Sequence, residues 1–419
     1  MNEVNAETPR GETAGGPLEG VLIADFSRVL AGPYATMLLA DLGARVVKVE
    51  RPGSGDDTRA WGPPFANLGD GDGAGDGSSE PEATYFLGVN RNKQSLALDF
   101  TSAEDAALAR ELVRRADVVV ENFLPGTMDR YGLGYEQVRE LNPGVVYCSI
   151  TGFGPGAGAG LPGYDLIVQA VGGLMSVTGE AGGSGTKVGV ALVDVVTGLH
   201  AALGVMAALR HRERGGPGQR VEVSLLGSLL SGLSNHSSGY LAAGVVPGAL
   251  GNAHPSIAPY EVYRAADRPL VIAAGNDRQF ARLCAALGAP GLAADPRFAT
   301  NRDRVAHRTQ LAEELNRLLS TRGADAWFAA LSEAGVPCGP INDVAEAFAL
   351  AERLGLDAVA QVADPRRGRT LRQVAHPIAF SETPARYRSA PPRLNEDGDE
   401  LRRLLARYAE QAAERGERR

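Results

Sequence analysis

"GVLIADFSRVLAGPYATMLLADLGARVVKVE" (Gly20–Glu50) decides the fold class. Gly20–Phe26 is a short, mostly apolar run and predicts a buried strand. Pro33 suits the first turn of a following helix, and Gly43 suits the residue just past its end. Arg45–Glu50 is valine-rich and predicts a second strand. Strand, helix and strand at this spacing make a βαβ unit, whose strands pair in parallel. The alternation continues downstream. Residues 101–116 predict a helix with a Ser/Thr start, early acids and late arginines, as the helix dipole favours. Residues 117–123 predict a strand, 135–143 a short helix and 144–153 another strand. The expected class is α/β, with an open parallel sheet.

Further along, 165–179 predicts one helix. A strand is expected to lead into Asp194, with a helix from about Thr197 that places Leu199, Leu203, Met206 and Leu209 on one face. The composition then shifts. Residues 223–340 are expected to form a smaller α+β domain, with helices at 277–287 and 308–320. A larger Rossmann-like domain is expected to combine 18–222 with 341–419. Residues 1–17 are expected to be disordered. The Gly-, Asp- and Ser-rich stretch 65–83 is expected to be a mobile acidic insertion. The charged terminal helix, 399–419, is expected to be a solvated helix end.

Composition narrows the functional classes. The chain has 419 residues, 44% of them hydrophobic and 22% charged, with net charge −8. The pI is about 5.4, and no basic stripe stands out, so nucleic acid is not an expected partner. The three cysteines form no CxxC, so neither a disulfide framework nor structural zinc is expected, and a cytoplasmic setting fits. Residues 1–17 hold no apolar core of a signal peptide, and no membrane partner is expected. The 65–83 stretch lacks the ligand spacing and distal Glu of a calcium loop, and the six histidines lie apart. No metal is expected. The turn after the first strand is "DFSRVLAGP", without a GxGxxG, and there is no Walker A, HExxH or GxSxG motif.

"TKVGVALVDVVTGLHAALGVMAAL" (Thr186–Leu209) places one carboxylate, Asp194, in an apolar run. An unpaired buried charge is expensive. One reading makes Asp194 a helix N-cap. The other makes it a nucleophile at a strand-to-helix junction, dehydrated enough to attack a thioester.

The chain resembles the family III CoA-transferases. The likeness lies in "DFSRVLAGPYATMLLADLGARVVKVERPGSGDDTR" (25–59), "NRNKQSLALDF" (90–100), "DVVVENFLPGTMDRYGLGY" (117–135), "LPGYDLIVQAVGGLMSVTG" (161–179) and the run around Asp194. It continues through "GNAHPSIAPYEVY" (251–263), "DPRFATNRDRV" (295–305) and "GVPCGPINDVAEA" (335–347). It implies that Asp194 attacks an acyl-CoA thioester and forms a covalent aspartyl intermediate. It implies that coenzyme A, as substrate, is held by Leu30, Ala31, Arg51, Leu98, Thr101, Asn122, Phe123, Arg130 and Tyr164. Gly251, Asn252 and His254 are implied on the acyl side. The resemblance also implies an interlocked homodimer, and the later motifs lean toward the branch acting on succinyl-CoA. Two alternatives stand beside transfer. An α-methylacyl-CoA racemase is disfavoured, because those enzymes place a histidine where this chain has Tyr164, a poor base at neutral pH. A non-catalytic CoA-binding protein would not need Asp194.

Overall fold

The computed structural model describes residues 15–67 and 81–416. Residues 1–14, 68–80 and 417–419 lie outside it, and with them most of the expected N-terminal tail, the centre of the acidic insertion and the last residues of the expected terminal helix. The chain divides into two compact units. The first comprises residues 1–172, 189–238 and 357–419, and the second comprises 173–188 and 239–356.

The first unit is built on six parallel strands. These are β1 (Leu22–Asp25), β2 (Arg45–Glu50), β3 (Lys93–Ala97), β4 (Val118–Glu121), β5 (Val146–Thr151) and β6 (Gln219–Ser224). Their order across the sheet is β3-β2-β1-β4-β5-β6, the doubly wound Rossmann order. All five neighbouring pairs run parallel. Four helices matter to the site: α1 (Ala31–Asp41), α2 (Ala103–Arg115), α3 (Asp165–Val171) and α4 (Leu192–Glu213). Nearly every residue of α1 is buried, so it is apolar all round, as a core helix must be. Helix α2 instead shows one face. Leu108, Ala109, Leu112 and Val113 join Val47, Val119 and Tyr147 in the main core. Each fully buried Val or Leu there contributes about 1.5–3 kcal/mol. Ser102 caps α2 through Asp105 N, Glu104 and Asp105 lie in the first turn, and Arg114 and Arg115 lie in the last.

Three expectations are corrected. No strand precedes Asp194. Helix α4 begins at Leu192, so Asp194 lies inside its first turn and does not cap it. The helix expected over 165–179 is two helices, Asp165–Val171 and Leu174–Val177, because Gly173 takes φ 89 between them. The terminal helix, Gly398–Gly416, is docked rather than solvated. Its Leu401 and Leu405 enter the main core, and Arg115 of α2 stacks on Tyr408 at 3.9 Å.

The edge strand β3 is closed by the segment before that helix. Ser95 N donates to Asp397 Oδ2 and Ala97 N to Asn395 Oδ1, each at 2.9 Å. Helix α4 is long and apolar enough to span a membrane. Here Val193, Ala201, Val205, Ala208 and Leu209 are buried in the protein instead.

The second unit holds a three-stranded antiparallel sheet of Tyr260–Arg264, Pro269–Ala273 and Cys338–Pro340. Helices Asp277–Ala286, Arg308–Leu319 and Ala324–Glu333 supply its core, with Phe280, Leu315 and Trp327 packed on Tyr263 and Ile272. Its boundaries at 238/239 and 356/357 fall later than 222 and 340. The helix Leu225–Gly232 stays with the first unit, where Leu226 N donates to Gly152 O and Leu229 meets Gly172.

Candidate active site

In a doubly wound sheet, ligands bind beyond the carboxyl ends of the strands where the winding reverses. Here that point lies between β1 and β4. The loops leaving these strands, Phe26–Leu30 and Asn122–Pro125, are tied together by one side chain. Asn122 Oδ1 accepts from Arg28 N at 2.9 Å, and its Nδ2 donates to Arg28 O at 2.7 Å.

Two cavities open at this point. The first, about 320 Å³, is lined by Leu30, Ala31, Asn122, Phe123, Tyr164 and Asp194 among others. The second, about 460 Å³, is lined by Arg51, Leu98, Thr101 and again Phe123, with Phe100 and Tyr131. Arg28 borders both, with its guanidinium 5.0 Å from the centre of the Phe123 ring. A glycine-rich loop walls the first cavity. At its base Gly152 and Gly163 meet so closely that a Cβ on either would stand 2.4 Å or less from the other's Cα.

Asp194 is half-buried. Among the described residues nothing donates a hydrogen bond to its carboxylate. Burial, and then the charge of Asp165, push its pKa up to about 7. Asp165 is held nearby because its Oδ1 accepts from Val193 N at 2.8 Å and Asp194 N at 3.2 Å. It therefore caps α4 from 28 and 29 residues away. A carboxylate at a helix N-terminus is favoured by the dipole, and Gln169 Nε2 steadies its other oxygen at 2.6 Å. One acid is thus tied to the start of α4 by hydrogen bonds, and the other is left without a donor and pushed toward neutrality. Burial, then the charges of Asp194 and Asp165, push the pKa of Tyr85 up to about 12.

The remaining expected residues lie elsewhere. Arg130 is exposed and contacts Thr127 Oγ1 at 3.2 Å, and it lines neither cavity. Gly251, Asn252 and His254 belong to the second unit. There Ser256 N donates to His254 Nδ1 at 3.1 Å. Arg308 holds the His254 carbonyl at 2.6 Å, and the Tyr260 ring lies 5.1 Å away. Sequence reasoning does not find Arg28, Tyr85 or Asp165. Arg28 and Asp165 stand inside the motifs "DFSRVLAGP" and "GYD", where a closer look at the polar residues could have found them. Nothing local marks Tyr85.

The winding switch point thus carries a cavity with a carboxylate pushed toward neutrality and an adjoining slot edged by arginines. The chain belongs to CoA-transferase family III, whose sequence profile matches residues 18–398. It is 44% identical to a succinate–glutarate CoA-transferase of Agrobacterium fabrum, over 91% of this chain and 93% of that one. It is 40% identical to a succinyl-CoA:glutarate CoA-transferase of Mus musculus, over 95% of this chain and 88% of that one. The crystal structure of a CAIB/BAIF family protein from Brucella suis superposes with a TM-score of 0.81 at 42% identity, covering 94% of this chain and 100% of the other. The protein is therefore a CoA-transferase with the mixed α/β fold of that family.

Proposed function

We propose that the protein moves CoA from a succinyl-CoA-type donor to a second carboxylic acid, with Asp194 as the covalent relay. The observation that carries this reading is the place of the Asp194 carboxylate, which lines a cavity at the switch point and receives no hydrogen bond from any described residue. The relatives' succinate and glutarate specificities support a short dicarboxylate on each side of the exchange.

The steps balance without a redox partner or a net proton. An Asp194 carboxylate oxygen attacks the thioester carbon. The C–S bond breaks, leaving an acyl–aspartyl anhydride and CoA thiolate. The thiolate attacks the Asp194 carbonyl and releases the donor acid, which gives an aspartyl-CoA thioester. The acceptor carboxylate attacks that carbonyl and expels the thiolate. The thiolate then attacks the acceptor's own carbonyl, forming the new acyl-CoA and restoring Asp194. Water would hydrolyse either intermediate, so a cavity walled by Leu30, Ala31 and Phe123 protects them.

In this reading the second cavity takes the nucleotide end of CoA. Arg51 supplies charge, and Leu98 and Thr101 supply the wall. Arg28 and Phe123 border the pantetheine between the cavities. Tyr164 lies at the first cavity's exposed rim. The roles of Arg130 with CoA phosphate, and of Gly251, Asn252 and His254 with the acyl group, rest on resemblance alone.

A cytoplasmic homodimer is the proposed setting. All three cysteines are free, as in a reducing compartment. Leu203 is 67% exposed, Leu241 81% and Val246 79%, a degree of apolar exposure that fits burial by a second copy. Light scattering should give twice 43.8 kDa, and a monomer at micromolar concentration would reject the dimer.

The test of the chemistry is exchange between succinyl-CoA and a panel of dicarboxylic acids, read by mass spectrometry, with hydroxylamine added to trap the enzyme-bound acyl group. A hydroxamate on Asp194, and no exchange by Asp194→Ala, are expected. Exchange that survives Asp194→Ala would remove Asp194 from the mechanism.

A further inference from the structure

The loop from Ser27 to Ala31 leaves β1, enters α1 and lines the cavity that holds Asp194. Its central residue is a valine with φ 68. A β-branched residue rarely occupies the left-handed region, so something must hold it there. The backbone before it is fastened by buried or partly buried side chains. Ser27 N donates to Asp25 Oδ1 at 3.0 Å, and Ser27 O accepts from Lys48 Nζ at 3.0 Å. Asn122 takes both the N–H and the carbonyl of Arg28. Val29 N itself donates to both carboxylate oxygens of Asp56, at 3.3 Å each.

Asp56 is in turn bonded through both carboxylate oxygens. Lys48 Nζ reaches its Oδ2 at 2.8 Å, and Thr58 bonds its Oδ1 through N at 3.0 Å and Oγ1 at 2.8 Å. Both side chains of the Lys48–Asp56 pair are 0% exposed. Burial works against the charge of Asp56, but Lys48 and Thr58 outweigh it and hold the pKa at about 2. A buried ion pair is weak evidence for stability, and its best-supported use is to fix one arrangement among several. Here it fixes the backbone of Val29 and, through it, the start of α1. Leu30 and Ala31 open that helix, and a Cβ on Gly198, one turn beyond Asp194 on α4, would stand 2.7 Å from Ala31 O. The first turn of α1 is thus seated against the helix that carries the nucleophile.

We propose that Lys48 and Asp56 are positioning residues for the reaction. Through the Val29 N–H they hold the left-handed turn that sets Leu30 and Ala31 at the Asp194 cavity. This rests on the reading of Asp194 as the nucleophile.

The test is a mutant cycle. Lys48→Met/Asp56→Ala removes both charges together, so neither is left buried alone. It is expected to lower kcat for exchange about tenfold, the scale of releasing one left-handed residue. Glycine adopts positive φ freely. In a Val29→Gly background the same pair removal should therefore cost about twofold or less. An equal loss in both backgrounds would show that the pair acts elsewhere and would overturn the proposal. If the double variant does not fold, Asp56→Glu keeps Lys48 paired while displacing the carboxylate, and the same comparison applies.

A crystal structure of the pair variant gives a readout that needs no turnover. Val29 should leave positive φ, and a Val29 that stays near its present φ would refute the proposal. The two readings therefore fail separately. Exchange retained by Asp194→Ala sinks the covalent mechanism, whereas an unmoved Val29 sinks the positioning role.

Discussion

Burial and the nearby Asp165 hold the Asp194 carboxyl near neutrality, and that couples activity to stability through one proton. The folded-state pKa is raised from 3.8 to about 7, so the native state binds more protons than the unfolded chain between those values. Stability contributed by this group is therefore lost as pH rises across that window. Asp194→Asn should melt higher than the wild type at pH 8, by about 2 kcal/mol once partial exposure is allowed for, and should lose the advantage near pH 4. Thermal melts at the two pH values check this. The rate should show the opposite face, because the nucleophile must be ionised. kcat/KM is expected to rise about tenfold per pH unit below about 7 and then level off. Asp165→Asn removes the second cause of the shift. It should move that limb to lower pH by up to about one unit, while its remaining amide oxygen still accepts from the α4 N-terminus.

At the scale of the element, α4 explains both what is readable in the sequence and what is not. Leu199, Leu203, Met206 and Leu209 mark a helix, because helical periodicity is a local signal, but the buried face is that of Val193, Ala201, Val205 and Ala208, and Leu199 and Leu203 are exposed. Its first turn is hidden. The residues before Asp194 are small and β-branched and read as extended, and the cap that starts the helix comes from Asp165, far back in the chain. No window on the sequence contains both. The βαβ opening is legible because Pro33, Gly43 and the valines of β2 are all local cues. The nearness of Tyr85 to Asp194 is not, because only tertiary structure brings it under that charge. Gly198 is a sharper case. Inside a helix a glycine normally weakens the structure and alanine strengthens it. Here a Cβ would stand 2.7 Å from Ala31 O and 3.1 Å from Tyr34 Cδ1. Gly198→Ala should therefore lower Tm by several degrees and reduce exchange more than tenfold, despite alanine's better helix propensity. A variant as stable and active as wild type would show that α1 can retreat from α4 freely.

At the scale of the whole molecule, the chain passes from the first unit to the second and back twice. The alternation of elements discloses the parallel sheet and a shift in composition discloses the bulk of the second unit, but of the four crossings the early pair around the short contribution of 173–188 leaves no mark in composition. The C-terminal segment likewise reads as a solvated end, because its apolar residues are few and spaced among charges. Yet Leu401 and Leu405 complete the core, and Asn395 and Asp397 close the edge of β3. Truncation after Arg393 should leave that edge unpaired and the α2 face open. We expect a protein that aggregates on expression, or whose Tm falls by more than about 5 °C, the scale of several kcal/mol in a chain of this size. Dynamic light scattering and a thermal melt would decide.

The closure of β3 by residues 395–397 also has a consequence for how the protein is made. A ribosome delivers β3 about 300 residues before the pieces that seal its edge. The first domain begun is thus among the last finished. For most of the time needed for translation its open strand is exposed to any sticky neighbour. In a crowded cell this chain should depend on chaperone cover until residues 395–405 have been made, and a message stalled or clipped before them would yield a nascent chain primed to clump.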